Sequence, residues 1–255
     1  MSNILAFSNQ KGGVGKTTSA VNVALSLAVS EIKTLLIDFD PQANATTGLS
    51  ELVVEEKNNI YDAILGNENV KNCITKTSFS HLDIITSTND LVGAEIELVG
   101  VMAREYQLKK ALKNIEKKYD IIIIDCPPSL GILTINALTA SDGVLIPVQT
   151  EYFALEGLAM LAGTIREVRS LLNPNLGVDG VLLTMHASTL LNQQVASEIY
   201  EHLPEFVIRP AIRRNIKLAE APSHGVPIHL HDPNSNGGKD YQDVSSVLEK
   251  RWGLK

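Results

Sequence analysis

The chain is poor in cysteine, in aromatic residues and in positive charge, and each shortage excludes a class of protein. Only two of its 255 residues are cysteines, Cys73 and Cys126, and no CxxC spacing occurs. That pattern supports neither a disulfide framework nor a zinc site, and it favours a reducing, cytoplasmic setting. The formal net charge is −7. A protein coated in positive charge is therefore excluded, and any nucleic-acid contact must come from a local patch.

Long hydrophobic runs are also missing. The first apolar run, Ile4–Phe7, begins too early to leave room for a basic segment and a long apolar core, so we expect no signal peptide. No run approaches the roughly 18 apolar residues that span a bilayer, and we expect no membrane attachment. With 44% hydrophobic residues the chain can bury a substantial core. We expect a single domain over residues 1–255.

A glycine-rich segment follows Ile4–Phe7 directly and precedes a run of good helix formers, Thr18–Val29. It reads Gln10-Lys11-Gly12-Gly13-Val14-Gly15-Lys16-Thr17-Thr18. A strand, a glycine-rich turn and a helix predict a cradle whose backbone N–H groups bind phosphate. In such a cradle Lys16 reaches the β- and γ-phosphates, and the Thr17 hydroxyl holds Mg²⁺. A simple hairpin or linker is the alternative, but the attached Lys-Thr-Thr favours a nucleotide site over Lys11–Thr18.

Two further predicted strands end in carboxylates. Thr34–Ile37 is followed by Asp38 and Asp40, and the four isoleucines Ile121–Ile124 are followed by Asp125. Ligands bind at the C-terminal ends of parallel strands. Asp38 and Asp40 lie two residues apart on an extended segment, so both can point toward the phosphates. We predict that Asp125 lies near Mg²⁺, although a solvated strand end is the alternative for the Asp38 and Asp40 pair.

The remaining pattern predicts alternating strands and helices. Further strands are predicted at Leu82–Ile85, Gly143–Val148, Val178–Leu183 and Phe206–Ile208. Further helices are predicted at Ile60–Leu65, Leu91–Val99, Arg104–Lys118, 130–141, 153–172 and 190–203. This alternation indicates an α/β fold of the P-loop NTPase type, with a mostly parallel central sheet and helices on both faces. The lysines of Arg104–Lys118 are interpreted as a solvated face rather than as a nucleic-acid patch.

The phosphate-binding segment departs from the usual G-x-x-x-x-G-K-[ST] pattern. Gln10 stands where the first glycine would be, and a second lysine, Lys11, follows it. This arrangement resembles the deviant Walker A motif of the ParA/MinD/nitrogenase-iron-protein ATPases. Nearly the whole chain resembles the chromosomal ParA (Soj-like) members of that group. The supporting segments are Asp38–Thr46, Asp125–Gly131, Gln149–Gly157 and Leu218–Gly225.

The resemblance implies a DNA-partitioning ATPase with ATP and Mg²⁺ as cofactors. Relatives of this kind form a nucleotide sandwich homodimer on ATP binding and attach to double-stranded DNA without sequence preference. A ParB-type partner then stimulates hydrolysis and release, so a cytoplasmic, nucleoid-associated protein is expected. The resemblance also implies a role for each site residue. Lys11 contacts the phosphates of the other subunit, Gly12 lies where the two subunits approach closely, and Lys16 contacts the phosphates of its own subunit. Asp40 orients the attacking water, Asp38 lies near the metal, and Met185 and Pro210 lie beside the adenine.

A basic segment is the candidate DNA surface. Four cations fall within nine residues: Arg209, Arg213, Arg214 and Lys217. Contacts of this kind go to phosphates and carry no sequence information. Thr184–Thr189 lacks a basic residue that relatives carry, whereas Ile212–Asn215 has an additional one, so we expect the surface to be shifted toward residues 209–217. A solvated basic turn is the alternative.

Three rival functions are weighed against this interpretation. A MinD-like, membrane-associated ATPase needs a C-terminal amphipathic helix with a basic polar face. The tail has an apolar side, Val244, Val247, Leu248 and Trp252, but its other side mixes acidic and basic residues, so we expect it to dock on the protein's own core. A nitrogenase-iron-type protein needs cluster-ligating cysteines that this chain does not offer. A scaffold without hydrolysis is disfavoured by Lys16, Asp40 and Asp125.

Overall fold

The strands form one sheet in the computed structural model, which describes residues 3–55 and 57–254. The strands of the described residues are β1 Asn3–Phe7, β2 Thr34–Asp38, β3 Ile74–Lys76, β4 Leu82–Ile85, β5 Ile121–Asp125, β6 Gly143–Gln149, β7 Gly177–Thr184 and β8 Val207–Ile208. Their order is β3-β4-β2-β5-β1-β6-β7-β8. Neighbours run parallel except for β3 and β4. The predicted mostly parallel α/β sheet is confirmed.

Helices cover both faces of this sheet. They are α1 Lys16–Val29, α2 Asn44–Thr47, α3 Ile60–Leu65, α4 Val70–Cys73, α5 Leu91–Glu97, α6 Gln107–Leu112, α7 Ile132–Ala140, α8 Ala154–Leu171, α9 Leu190–His202, α10 Ile216–Glu220, α11 Ile228–His231 and α12 Asn236–Trp252. Two apolar clusters fill the spaces between the helices and the sheet. Along β5, Ile122 and Ile124 belong to one cluster, and Ile121 and Ile123 belong to the other. Four consecutive isoleucines are therefore needed because this strand is buried on both faces.

The register of the central strands positions the site. In the pairing of β2 with β5, Asp38 stands beside Asp125, and in the pairing of β1 with β5, Phe7 stands beside Asp125. All three strands therefore end at the same level of one sheet edge. The glycine-rich segment leaves β1 at this level, so the carboxylates and the cradle meet there, as expected for a parallel sheet.

One predicted helix is wrong in its extent. Residues 104–118 form a 3₁₀ turn at Arg104–Tyr106, the helix α6 and a second 3₁₀ turn at Glu116–Lys118. The chain leaves the helical conformation at Ile115, which has φ −124° and is fully buried. Burying Ile115 requires a turn there that a continuous helix would not allow. The edge strand β3 was not predicted, since three residues give too little pattern to detect.

The C-terminal helix α12 docks on the protein's own core, as predicted. Val244 and Leu248 are fully buried, and the Tyr241 hydroxyl lies 2.9 Å from the Ser19 hydroxyl of α1. Val247 remains 40% exposed, and Trp252 packs partly buried against the same cluster. The apolar side of this helix is therefore already engaged, which removes the feature on which the MinD-like alternative depended. Over the ranges that the structure describes, no helix is long and apolar enough to cross a bilayer.

Candidate nucleotide-binding site

The loop between β1 and α1 has the backbone shape of an anion cradle. Gly13 and Gly15 take left-handed conformations, with φ +75° and +84°, which favour glycine strongly. Gly15 also precedes α1 as its N-cap and offers no side chain to bond the first turn. The N–H groups of that turn therefore remain available to an anion, and the helix dipole favours negative charge at the same point.

Hydrogen bonds from neighbouring strands hold this loop in place. The Asn9 side chain donates to the Pro147 carbonyl at 2.7 Å and accepts from the Lys11 N–H at 3.0 Å. From β7, the Thr184 hydroxyl donates to the Val14 carbonyl at 2.7 Å. The cradle is therefore preformed in the isolated chain, so a ligand does not have to order it.

Both lysines of the loop are bonded within the same chain. The buried Lys16 ammonium donates to the Lys11 carbonyl at 3.2 Å, and burial lowers its pKa against the opposing effect of Asp125. The Lys11 ammonium donates to Glu151 Oε2 at 2.6 Å, and both of these side chains are nearly half exposed. A phosphate entering the cradle must therefore replace the Lys11 carbonyl as the partner of Lys16, and any anion that binds the Lys11 ammonium must replace Glu151.

Asp125 at the end of β5 is a buried carboxylate without a bonded partner. It is fully buried, and neither of its oxygens has a hydrogen-bond partner among the described residues. Burial raises its pKa well above the usual range, and neighbouring Asp38 adds to this. The neighbouring Thr17 hydroxyl acts in the opposite direction and lowers this pKa. A divalent cation held by oxygen ligands would supply the charge that this group lacks.

Asp38, in contrast, is bonded by its own loop. One oxygen accepts from the N–H and the hydroxyl of Thr46, each at 2.7 Å, and the other accepts from the Asp40 N–H at 3.2 Å. Burial nevertheless raises the pKa of Asp38 to about 6. The structure thus shows Asp38 anchoring the segment after β2, and its contact with a metal stays a prediction.

One carboxylate oxygen of Asp40 accepts no hydrogen bond from the described residues. Its Oδ1 accepts from the Gln42 N–H at 2.9 Å, and its backbone carbonyl accepts from the Ser87 hydroxyl at 2.8 Å. The side chain is 5% exposed, and no bond to Oδ2 occurs within the described residues. Asp40 is therefore oriented by two fixed contacts and keeps an acceptor for a water molecule.

A cavity of about 470 Å³ adjoins the cradle. Gly15 and Thr18 line one side, and the apolar side chains of Met185, Ile212 and Leu218 line others. This volume and lining suit a nucleoside better than a phosphate. Met185 belongs to this lining, and its contact with the adenine stays a prediction.

Pro210 is not among the described residues that line the cavity, and its place beside the adenine stays a prediction. The lining residues that follow it closely in sequence are Ile212, Arg213 and Arg214. They pair with the extension of β7, where the Ile212 N–H donates to the Leu183 carbonyl at 2.8 Å and the Arg214 N–H donates to the His186 carbonyl at 2.9 Å. Because β8 ends at Ile208, the chain first bends at residues 209–211 and returns to the sheet only at Ile212.

The four cations of the candidate DNA surface have different environments. Arg213 forms an ion pair of 2.7 Å with buried Asp240, and Lys217 forms one of 2.7 Å with Glu220. The Arg209 guanidinium lies 4.2 Å from the centre of the Tyr200 ring. Exposed Arg214 forms no ion pair with any of the described residues. The segment is therefore not an open patch of four unpaired charges, and Arg214 is its freest member.

Comparisons with known proteins decide the family. A family model described as an AAA domain matches residues 2–178. The sporulation initiation inhibitor protein Soj of Bacillus subtilis is 50% identical over 249 residues, which cover 97% of this chain and 98% of that protein. The chain belongs to the ParA/Soj family of partitioning ATPases. The chromosome partitioning protein ParA of Myxococcus xanthus is 47% identical over 97% of this chain and 88% of that protein.

A solved structure gives a further comparison. Cobyrinic acid a,c-diamide synthase from Mycobacterium smegmatis with bound ADP and magnesium is similar with a TM-score of 0.83 and 32% identity, covering 99% of this chain and 96% of that chain. The cell division ATPase MinD of Pyrococcus furiosus shares the fold, with a TM-score of 0.82 and 22% identity over 98% of this chain and 99% of that chain. The predicted ParA/Soj-like family and ATPase class are confirmed.

For this ParA/Soj chain, sequence reasoning missed two functional side chains. Glu151, the partner of Lys11, lies just after β6, and Thr184 at the end of β7 holds the cradle. Both stand at the C-terminal ends of parallel strands, which is the position that drew attention to Asp38 and Asp125. The same rule applied to every strand would have found them.

Asp125→Asn is expected to stabilise the ParA/Soj chain when nucleotide and Mg²⁺ are absent. Because burial raises the folded-state pKa of Asp125, its contribution to the free energy of unfolding is fully present at low pH and is lost as the pH rises through the raised pKa. A neutral amide removes this loss, so Tm should rise by at least about 4 °C at pH 7.5 and by less at pH 5.5. Calorimetry checks this, with exposed Asp243→Asn as the control. Equal Tm values for Asp125→Asn and the unmodified chain at pH 7.5 would contradict it.

Proposed function

We propose that this chain is a Mg²⁺-dependent ATPase that partitions DNA by switching between a free state and a DNA-bound dimer. The observation that carries the proposal is the junction of a preformed phosphate cradle with a nucleoside-sized cavity whose far wall contains Arg213 and Arg214. The nucleotide and the basic segment would therefore lie against the same wall of the cavity. The similarity to the chromosome partitioning protein ParA of Myxococcus xanthus over nearly the whole chain supports a role in partitioning.

The site residues fit ATP and Mg²⁺. The base and ribose occupy the cavity beside Met185, and the phosphates lie on the cradle, where Lys16 exchanges the Lys11 carbonyl for a phosphate oxygen. The Thr17 hydroxyl and the unpartnered Asp125 would hold Mg²⁺, which neutralises phosphate charge when it is bound. Asp40 orients the attacking water through its free oxygen. The homologous Mycobacterium smegmatis protein is described with bound ADP and with a bound ATP analogue, each with magnesium.

The proposed dimerisation depends on the ion pair of Lys11 and on the open space beside Gly12. Lys11 leaves Glu151 and contacts the triphosphate bound by the second copy. A Cβ atom added at Gly12 would meet nothing within 4 Å in the single chain, and the φ of Gly12 is not left-handed. The open space at Gly12 is therefore available to a second chain, and ATP occupancy and dimerisation become a single event.

DNA binding is proposed for the exposed cations beside the cavity. Arg209, Arg214 and Lys217 contact backbone phosphates, while Arg213 holds α12 through Asp240 and shapes the wall of the cavity. A dimer doubles this set of cations, which lets it hold DNA against the net charge of −7. A ParB-type partner stimulates hydrolysis and release, so the protein acts in the cytoplasm on the nucleoid.

A double substitution tests the DNA surface. Arg214→Ala with Lys217→Ala should weaken ATP-dependent duplex binding about tenfold or more, because the dimer loses four phosphate contacts. Mobility shifts at matched salt, compared across ATP, ADP and no nucleotide, measure this, and light scattering checks that dimerisation persists. Lys109→Ala with Lys110→Ala is the matched control, since it removes the same charge from exposed positions on α6. Equal affinity of the two variants would reject the surface, and equal DNA binding with and without ATP would reject the switch.

A further inference from the structure

A second cavity lies at the opposite edge of the sheet from the nucleotide site. Its volume is about 480 Å³, and the described residues that line it include five lysines and one histidine but a single carboxylate. These residues are Lys33, Lys57, Lys71, Lys76, Lys118, His81 and Asp83. We call them the basic cavity. Such a concentration of positive charge is unexpected in a chain whose net charge is −7.

The cations of the basic cavity converge from separate parts of the chain. Lys33 precedes β2, His81 precedes β4 and Lys118 precedes β5, so each stands at the N-terminal end of a parallel strand. Lys76 ends the antiparallel strand β3 and therefore reaches the same edge. The lysines of α6 follow one another along a helix, as a solvated face does. The lysines of the basic cavity instead come together from distant parts of the chain, and they surround a concave space.

The polar side chains at the floor of the basic cavity are hydrogen-bonded to one another. Asp83 is nearly buried and accepts from the Lys76 ammonium and from the Tyr119 hydroxyl, both at 2.7 Å. Burial, with Asp83 adding to it, raises the pKa of Tyr119, so the phenol stays a neutral donor. Asp83, the one carboxylate among the described lining residues, is thus already neutralised by its neighbours and does not offset the remaining lysines.

Several ammonium groups of this cavity have no anionic partner. Within the described residues, no carboxylate lies within ion-pair distance of Lys33, Lys71 or Lys118, and all three side chains are exposed. Lys57 lies 3.7 Å from Glu55, and the Lys33 backbone N–H, rather than its ammonium, donates to Asp120. Like charges around one concavity repel each other, and a bound anion would relieve this repulsion.

The rim is also rigid. The Thr34 N–H donates to the His81 carbonyl at 2.8 Å, and the Asp120 N–H donates to the Lys33 carbonyl at 2.9 Å. His81 has φ +66°, a conformation that non-glycine residues seldom adopt. These backbone bonds fix the relative positions of the segments that carry Lys33, His81 and Lys118, so the cations are held together without a ligand.

We propose that the basic cavity binds a small anion that carries two or more neighbouring phosphate groups. A single phosphate is too small to meet cations on several sides of a cavity of about 480 Å³. Among the described lining residues Ile74 is the one aliphatic side chain and Tyr119 the one tyrosine, so a base would find less apolar surface here than Met185, Ile212 and Leu218 provide at the nucleotide site. The backbone of a DNA duplex is convex, so a duplex would contact the rim of the cavity without entering it. The ligand is therefore a free compound recognised chiefly through its phosphates.

Calorimetric titration with tripolyphosphate tests this proposal. The experiment uses the Lys16→Ala chain, in which the cradle is weakened, and omits Mg²⁺. We expect one equivalent to bind. Adding Lys33→Ala, Lys71→Ala and Lys118→Ala should lower the affinity at least about tenfold, because three charge-assisted contacts are lost. The corresponding Lys→Arg triple should retain binding, which separates loss of charge from loss of structure.

A charge-matched triple variant is the control. Lys109→Ala, Lys110→Ala and Lys113→Ala remove the same charge from exposed positions outside the cavity and should change the affinity less than about threefold. Absence of binding to the Lys16→Ala chain, or equal losses in the two alanine triples, would overturn the proposal. A duplex mobility shift with ATP and Mg²⁺, with both alanine triples placed in the chain that keeps Lys16, forms the second arm. A greater loss of DNA affinity in the cavity triple than in the control would also overturn it, and equal DNA affinities would support it.

Discussion

Lys16→Ala is expected to lower ATP hydrolysis about 10²- to 10³-fold and to abolish ATP-dependent dimerisation. The Lys16 ammonium is buried beside the cradle and has only the Lys11 carbonyl to exchange for a phosphate oxygen. Without it, the negative charge that develops on the phosphates loses its nearest positive charge. Phosphate release measures the rate, and light scattering with a non-cleavable ATP analogue measures the dimer.

Two comparisons make the Lys16 result specific. Lys109→Ala removes one exposed lysine from α6 and should leave both the rate and the dimer unchanged. Because the buried ammonium of Lys16 has a lowered pKa, removing it should not destabilise the empty chain, and a thermal melt checks this. Dimers at the level of the unmodified chain in the presence of ATP would show that phosphate contact and dimerisation are separate events.

Asp40→Asn is expected to separate hydrolysis from dimerisation. The amide oxygen can still accept from the Gln42 N–H, so the loop keeps its shape, but the charge that orients the attacking water is lost. Hydrolysis should fall about 10²-fold while ATP-bound dimers accumulate on DNA. Single-turnover hydrolysis and the rate of release from DNA measure the two effects.

The comparison variant for Asp40→Asn is Gln42→Ala. It leaves the backbone N–H that Asp40 binds and should retain hydrolysis near the level of the unmodified chain. Unchanged hydrolysis in Asp40→Asn would assign the positioning of water to another residue. Loss of ATP-dependent dimers in the same variant would place Asp40 in nucleotide binding rather than in the chemical step.

Local sequence patterns predicted the central part of this fold. The four isoleucines of β5 identify a strand buried on both faces, and the position of Asp125 after them follows from the chain itself. The role of two glycines in the cradle was also predictable from the sequence, since Gly13 and Gly15 adopt the positive φ angles that favour glycine. These features depend on residues that are close in sequence, which is why reasoning on the sequence could reach them.

The features that were missed depend on contacts between distant residues. Pairing of residues 212–214 with the extension of β7 brings Ile212 to the cavity. Burial of Ile115 divided the predicted helix, and ion pairs with Asp240 and Glu220 occupied Arg213 and Lys217. No periodicity in the sequence reports which carboxylate a lysine or arginine will meet after folding.

The exposed ion pair of Lys11 with Glu151 has a consequence for how two empty copies meet. Its side chains are 42% and 46% exposed, so the pair is worth at most about 1 kcal/mol and is screened by salt. In the proposed dimer, a triphosphate bound by the facing copy would displace Glu151 at little cost, whereas an empty copy would offer Lys11 no better anion. We therefore expect Lys11 to stay paired with Glu151 when two empty copies meet, so that the ion pair distinguishes an ATP-bound copy from an empty one before hydrolysis begins.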